Sequence, residues 1–429
     1  MVTRRPRLGL ALALVVSLPA NAVVPDPSPG GEATLPQLLA YAEQHAPPIH
    51  VARAHARRGD AEVLAASPLF QSNPEFTSGF GGRALGTGTY FELQVSVQQT
   101  LELAGERFLR LETAERTREV ALAEQDESRW LVHVAVHTLF FEALVARERT
   151  GAAERVVRFT QDLQQAAQRR VDAGDDAPLA MLVVRADLAQ ATERLIAAQL
   201  EEELARSALA EAAGWPAERP LTLLGALPAV RTPRTASELL RLAAQHTPAL
   251  RTQALAVTEA EARLRLVDRE AWPKPTVGLA YTREGAAAPE PGIGMLTVAL
   301  PLPLWNRNQG EHARALVTLE TARAERDAFD GHLRARLTRA ASAVDAAARR
   351  VQIYGADVVP AVDRNLELIR RAYDLGEIDI HAVSQTRERV LDTQRRVIDA
   401  RSEYARALAE LEGLVGTELD DAPVPEATP

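Results

Sequence analysis

Cysteine is absent from this 429-residue chain, and that one absence removes several chemistries together. Disulfides, thiolate zinc sites, a cysteine nucleophile and a lipid-modified N-terminal cysteine are all excluded. Aromatic residues make up only 4% of the chain and methionines number three, which leaves no relay of soft ligands for a metal. There is no glycine-rich phosphate loop and no nucleophile elbow. The expectation is a protein that is not an enzyme and needs no cofactor. A basic footprint is also missing: the formal charge is −9, so no nucleic-acid partner is expected. Beyond the N-terminus no apolar run approaches the ~18 residues of a membrane helix. Any passage through a membrane must then be made by β-strands.

The N-terminus itself is distinctive. A basic "MVTRRPR" precedes "LGLALALVVSL", an apolar run of eleven residues, and then the small-x-small site Ala20-Asn21-Ala22. This order predicts a secretory signal peptide over residues 1–22, followed by a linker over 23–33. The predicted peptide holds three arginines and no acid, so the remainder carries −12 against −9 for the whole chain.

The chain is then written twice. "LLAYAEQHAPPI" at 38–49 is echoed by "LLRLAAQHTPAL" at 239–250, and Pro74 falls over Pro275. Gly105-Glu106 is matched to Gly310-Glu311, Gly174 to Gly376, and Gly214 to Gly416. Landmarks in one order over so long a span indicate an internal repeat. The first copy is read as 34–216: a helix, a hairpin about 73–100, a long helix about 105–173 and a return helix about 178–213. A linker follows over 217–234. The second copy is read as 235–416: a helix, a hairpin about 274–302, a long helix about 309–374 and a return helix about 380–415. A disordered tail is expected over 417–429.

In "YFELQVSVQ", Phe91, Leu93, Val95 and Val97 alternate with Glu92, Gln94, Ser96 and Gln98. That is a strand with one apolar and one polar face. Each copy offers one hairpin of strands about ten residues long, the length a tilted strand needs to cross a bilayer. Four strands cannot close a barrel, which needs about eight or more, so several chains must contribute. The segment from Gly105 to Asp172 contains no proline; as one helix it would be about 100 Å long. The segment from Gly310 to Asp374 is read the same way. In the return helices Val383, Val390, Val397, Tyr404 and Leu411 form one heptad line, and Thr386, Thr393, Ala400, Ala407 and Leu414 a second. Their counterparts are Met181, Leu188, Leu195, Glu202 and Leu209, with Val184, Ala191, Ala198, Ala205 and Ala212. A sustained seven-residue repeat with small residues on one line supercoils closely packed helices.

With this duplicated plan, and with "YDLGEIDIHAVSQTRERVLD" at 373–392 set against "VDAGDDAPLAMLVVRADLAQ" at 171–190, the chain resembles the TolC-like outer-membrane efflux proteins. "PLPLWNRNQGE" at 301–311 is similar to the corresponding junction in the cobalt–zinc–cadmium branch. The resemblance implies a mainly α protein with a small transmembrane β part. Three chains would build a 12-stranded β-barrel, four strands each, continued by a periplasmic α-helical barrel. It implies a passive exit duct in the outer membrane with a periplasmic extension, conducting heavy-metal cations as cargo. Its partners would be two further copies of the chain, outer-membrane lipid, a periplasmic adaptor protein and an inner-membrane pump of the resistance–nodulation–division type. Ducts for organic drugs or type I secretion are alternatives. So is a secreted coiled-coil structural protein, although that reading leaves the hairpins unexplained.

Candidate site residues follow. The acids that narrow the aperture in TolC match Ala382 and Gln385, so that ring is missing. Tyr373 matches a family tyrosine that holds the closed tip. Around the tip turns at Gly174 and Gly376, Asp175, Asp176, Glu377 and Asp379 are candidates for a negative entrance; the same acids also suit turn and N-cap roles. At the barrel junction Pro301 and Pro303 should end strand pairing, and Trp305 suits a membrane interface. Asn308 is placed to cap the next helix, with Glu311 at capping-box spacing. His133 and His137 stand four apart on one helix face, but with no third ligand in view they are read as packing residues and no metal site is expected.

Overall fold

The computed structural model describes residues 31–85, 88–231, 234–284, 292–354 and 358–419. The expected signal peptide, most of the linker after it and the tail beyond 419 lie outside the described residues.

The first half runs β1 (Glu32–Thr34), α1 (Leu35–His45), α2 (Pro47–Ala66), β2 (Glu75–Leu85), β3 (Gly88–Thr100), α3 (Glu106–Ala173) and α4 (Pro178–Ala213). After β4 (Thr222–Leu224) the order resumes with α5 (Ala236–His246), α6 (Pro248–Glu270), β5 (Thr276–Glu284) and β6 (Gly292–Ala299). It ends with α7 (Gln309–Tyr354), α8 (Val358–Asp374) and α9 (Ile380–Val415).

Two departures from the sequence reading stand out. The single helix expected at the start of each half is a pair, broken before Pro47 and Pro248. A proline disfavours helical backbone in the residue before it, and Ala46 and Thr247 are extended, with ψ of 129° and 112°. The long helix of the first half is continuous for 68 residues. Its counterpart, expected over 309–374, is described as α7 of 46 residues and α8 of 17, on either side of positions 355–357, which lie outside the described residues. Finally, the regions read as linkers contain a parallel strand pair, Glu32↔Thr222 through Thr34↔Leu224. Ala33 and Leu223 from this pair are buried in one core with Phe140, Leu144 and Trp215.

The other four strands form one antiparallel sheet in the order β2-β3-β5-β6. Its register puts Phe76 opposite Val97, Phe80 opposite Leu93, Val97 opposite Leu279 and Leu279 opposite Leu296. Alternation places these residues on one face and Glu75, Thr77, Glu92, Gln94, Ser96 and Gln98 on the other. Phe80 is 79% exposed and Leu296 70% exposed, so the apolar face is uncovered within the chain. The outer edges of β2 and β6 have no ladder partner among the described residues.

The helices pack through small residues. Along α9, Val383, Val397, Tyr404 and Leu411 are buried, as are Ala400, Ala407 and Leu414 on the adjacent line. The expected seam therefore faces neighbouring helices, except at its tip end, where Thr386 is exposed. One correction concerns α3. It carries an 18-residue window apolar enough to cross a membrane by length and composition, contrary to the sequence expectation, yet half of that window is buried. Val136, Phe140 and Leu144 in this helix belong to the first core.

Candidate functional site at the helical tip

Both halves turn in the same way at the end distant from the sheet. Gly174 follows α3 with φ of 82°, and the amide of Asp175 donates to the Arg170 carbonyl at 2.9 Å. Gly376 follows α8 with φ of 75°, and the amide of Glu377 donates to the Ala372 carbonyl at 2.9 Å. A left-handed residue with a six-to-one bond is a Schellman termination, and glycine adopts it without a Cβ clash. Pro178 then opens α4, and the Asp379 carboxylate caps α9 by accepting from the Ala382 amide at 2.7 Å. Phe159, Leu163, Met181, Val184, Ile369, Ile380 and Val383 from α3, α4, α8 and α9 share one core beneath these turns.

Tyr373 is fully buried in that core. Its hydroxyl donates to Asp176 Oδ2 at 2.6 Å. Arg170 donates to both oxygens of the same carboxylate, at 3.0 and 3.3 Å, and to the Tyr373 carbonyl at 3.0 Å. Its guanidinium carbon also lies 5.1 Å from the centre of the tyrosine ring. The hydrogen bonds from Arg170 hold the Asp176 carboxyl below its ordinary range, with help from Tyr373 and against the opposing effect of burial. Burial first, then the bond to Asp176, raises the Tyr373 phenol. The turn of one half is thereby tied to the last helical turn of the other.

The four candidate acids thus separate into different environments. Asp176 is half-buried and engaged by Arg170 and Tyr373, and Asp379 serves as a helix cap. Asp175 and Glu377 are exposed. Arg170 was not among the sequence candidates. Its only local signal is the basic pair Arg169-Arg170 before the Asp-rich turn, and no spacing rule connects it to Tyr373, 203 positions away.

At the other end of the helices, pairing in the sheet stops at Ala299 opposite Thr276, before Pro301 and Pro303. Trp305 is 87% exposed. The capping box expected at Asn308 and Glu311 is not formed. Asn308 has φ of 64°, whereas a capping side chain works from extended backbone. The Asn308 carbonyl does accept the first helical bond, from His312 at 3.0 Å, but its side-chain amide donates to Val267 at 3.2 Å. Glu311 pairs with Arg314 instead. The equivalent of left-handed Asn308 is left-handed Gly105 at the start of α3, so the match of Gly105 to Gly310 is displaced by two residues.

A second junction network was not anticipated. Arg110 donates twice to Glu102 at 2.8 Å, and to the carbonyls of Ala66 and Pro68 at 3.3 and 3.1 Å. Lys274 of the other half lies 3.7 Å from the same glutamate. The exit of β3, the end of α2 and the start of α3 are stitched together by one side chain.

His133 and His137 do not stand alone. His133 lies 2.9 Å from Glu418 and His137 3.6 Å from Glu412, and Trp130 stacks on His133 at 4.8 Å. Among the described residues no three His, Asp or Glu side chains converge as a metal site.

The architecture now has relatives to compare. The description of the outer membrane efflux protein family matches residues 38–215 and again residues 239–417. The chain belongs to the outer membrane efflux protein family. It is an outer-membrane channel protein with a helical periplasmic extension, in a family of channels rather than enzymes. It is 29% identical over 314 residues to the cobalt-zinc-cadmium resistance protein CzcC of Cupriavidus metallidurans, covering 72% of each chain. It is 26% identical over 329 residues to the nickel-cobalt-cadmium resistance protein NccC of Alcaligenes xylosoxydans xylosoxydans, covering 75% of this efflux channel and 71% of that protein. Identity to the pyoverdine export outer membrane protein OpmQ of Pseudomonas putida is 23% over 401 residues, covering 89% and 84%. Among solved structures, CusC superposes with a TM-score of 0.73 at 15% identity, over 89% of this chain and 92% of that one. The open-state MtrE channel of Neisseria gonorrhoeae gives 0.69 at 16% identity, over 90% and 89%. These last two likenesses concern the fold.

Proposed function

We propose that three copies of this chain form the outer-membrane exit duct of a tripartite efflux system for heavy-metal cations. The duct is passive: a periplasmic adaptor and an inner-membrane resistance–nodulation–division pump supply substrate and energy. The observation that carries the trimer is the four-stranded sheet, apolar on one face, polar on the other and open at both edges. Three such sheets, joined edge to edge, satisfy every backbone group in lipid and give twelve strands. The two family matches and the repeated order of elements support descent from a duplicated half. Resistance to cobalt and cadmium in the names of two relatives supports the metal cargo. A relative named for pyoverdine export keeps a cargo outside metal resistance as the second reading.

In this reading the tip is the gate. Tyr373, Asp176 and Arg170 hold it closed between the turns at Gly174 and Gly376. Exposed Asp175 and Glu377, repeated three times, make the entrance negative and favour cations. Asp379 contributes as a cap as well as a charge. Pro301, Pro303 and Trp305 mark the membrane interface, where the sheet gives way to helices. A deletion strain challenged with cobalt, zinc, cadmium, nickel and copper, and with dyes and antibiotics as contrast, tests the cargo. Metal sensitivity restored by the intact gene is expected. Sensitivity confined to organic compounds overturns the metal reading, and a purified protein that stays monomeric and does not conduct in bilayers overturns the duct.

A further inference from the structure

A second contact joins the two halves above the tip. The Ser384 hydroxyl donates to Asp187 Oδ2 at 2.8 Å, and Arg387 Nη1 lies 3.0 Å from the same oxygen. The bond from Ser384 to Asp187 and the bond from Tyr373 to Asp176 both join residues 197 positions apart. The lower contact joins the end of α8 to the turn before α4, and the upper rung joins α9 to α4, beyond both tip turns. Asp187 belongs to α4, and Ser384 and Arg387 to α9. These helices otherwise touch sparsely, because α4 packs chiefly on α3.

The chemistry of this rung is unusual for a purely structural contact. Only 5% of the Arg387 side chain and 17% of the Asp187 side chain are exposed. The Nε of Arg387 has no hydrogen-bond partner. A buried ion pair with incomplete hydrogen bonding adds little stability compared with apolar side chains of the same size, yet losing one partner strands the other charge. Such a pair makes a good switch and a poor staple. The residue at the corresponding repeat position in the first half is Arg185, which is exposed within the chain, so the two halves do not make this contact symmetrically.

We propose that Asp187, Ser384 and Arg387 form a second lock on the duct, which must open together with the contact between Tyr373 and Asp176 before the tip can widen. This rests on the gate reading given above. When α9 moves away from α4, the guanidinium loses its carboxylate partner. Intermediate positions, with Arg387 still buried and unpaired, are the costly ones. The rung therefore favours a shut tip or a fully separated, hydrated one over a half-open tip.

The test uses the full-length trimer in planar bilayers, with Arg387→Met, Asp187→Asn and Tyr373→Phe compared with the unaltered protein. Methionine keeps length and apolar packing while removing the charge. Both rung variants are expected to raise closed-state conductance roughly tenfold, with a melting temperature of the Arg387→Met trimer no lower than that of the parent. Unchanged conductance in both rung variants, with a rise in Tyr373→Phe, overturns the second lock and leaves the tip gate standing. Unchanged conductance in all three overturns the gate as well. A rise seen only together with lost trimer or lowered melting temperature in both rung variants marks general unfolding and also overturns the second lock.

Discussion

The Tyr373 hydroxyl stands 2.6 Å from Asp176 Oδ2, and Arg170 donates to that same oxygen at 3.0 Å from the opposite half. One carboxylate thus receives a phenol from the second half and a guanidinium from the first. A short O–H···O⁻ bond of this kind is stronger than a bond between neutral groups, and it lies where the two turns meet. A small change in one side chain here should alter the relation of whole helices.

Tyr373→Phe removes the hydroxyl while preserving the ring in its core. A hydrogen bond to a charged group is worth about 1.5–3 kcal/mol, so the balance between closed and open tips should move toward open by about 10- to 100-fold. Single-channel recordings in planar bilayers read this as added conductance. Asp176→Asn should act in the same direction and also release Arg170. Conductance equal to that of the parent in both variants would count against gating at this contact.

Acid should open the tip as well. The Asp176 carboxyl is held below its ordinary range by the bonds from Arg170 and Tyr373. A group whose pKa is depressed in the closed state stabilises that state fully above its ordinary value, about 3.9 for aspartate. The contribution is lost as pH falls through the depressed value. Conductance should therefore stay flat across neutral pH and rise only in acid, and Asp176→Asn should abolish that rise. The Tyr373 phenol, raised by burial, remains a donor throughout the neutral range.

At the junction of sheet and helices, Arg110→Ala should weaken assembly. Glu102 has a side chain only 4% exposed, and deleting a buried partner typically costs about 3–5 kcal/mol. Lys274 remains near the stranded carboxylate and moderates the loss. The variant trimer should dissociate at a lower temperature on heated gels, while its conductance once assembled should match the parent.

The two histidines lead to a different expectation. His137→Ala should lower the melting temperature, since it removes a side chain packed on Phe141 at 4.7 Å and set beside buried Glu412. Zinc titration monitored by calorimetry should give the same isotherm for variant and parent. A binding site lost with His137 would contradict the packing role.

Much of the plan was legible along the chain because it is periodic or punctuated. Alternation in "YFELQVSVQ" marks a strand with one apolar face, heptads mark α9, and Gly174 and Gly376 mark turns whose φ of 82° and 75° bear out the need for glycine. The return helices begin and end where proline, aspartate and glycine place them, at Pro178, Asp379, Gly214 and Gly416. The breaks before Pro47 and Pro248 are equally local, set by the extended backbone that a proline favours in the residue preceding it.

What the sequence alone determined, then, was element type, repeat order and the positions of turns, because short-range sterics and hydrophobic period act over a few residues. The tertiary structure decided which side chains meet. Arg170 with Tyr373, Asp187 with Arg387, and Lys274 with Glu102 all join the two halves. The left-handed backbone of Asn308, which prevents the anticipated capping box, was also outside the reach of spacing alone. Partners about 200 residues apart are selected by how helices pack around a common axis, and local pattern carries no record of that geometry.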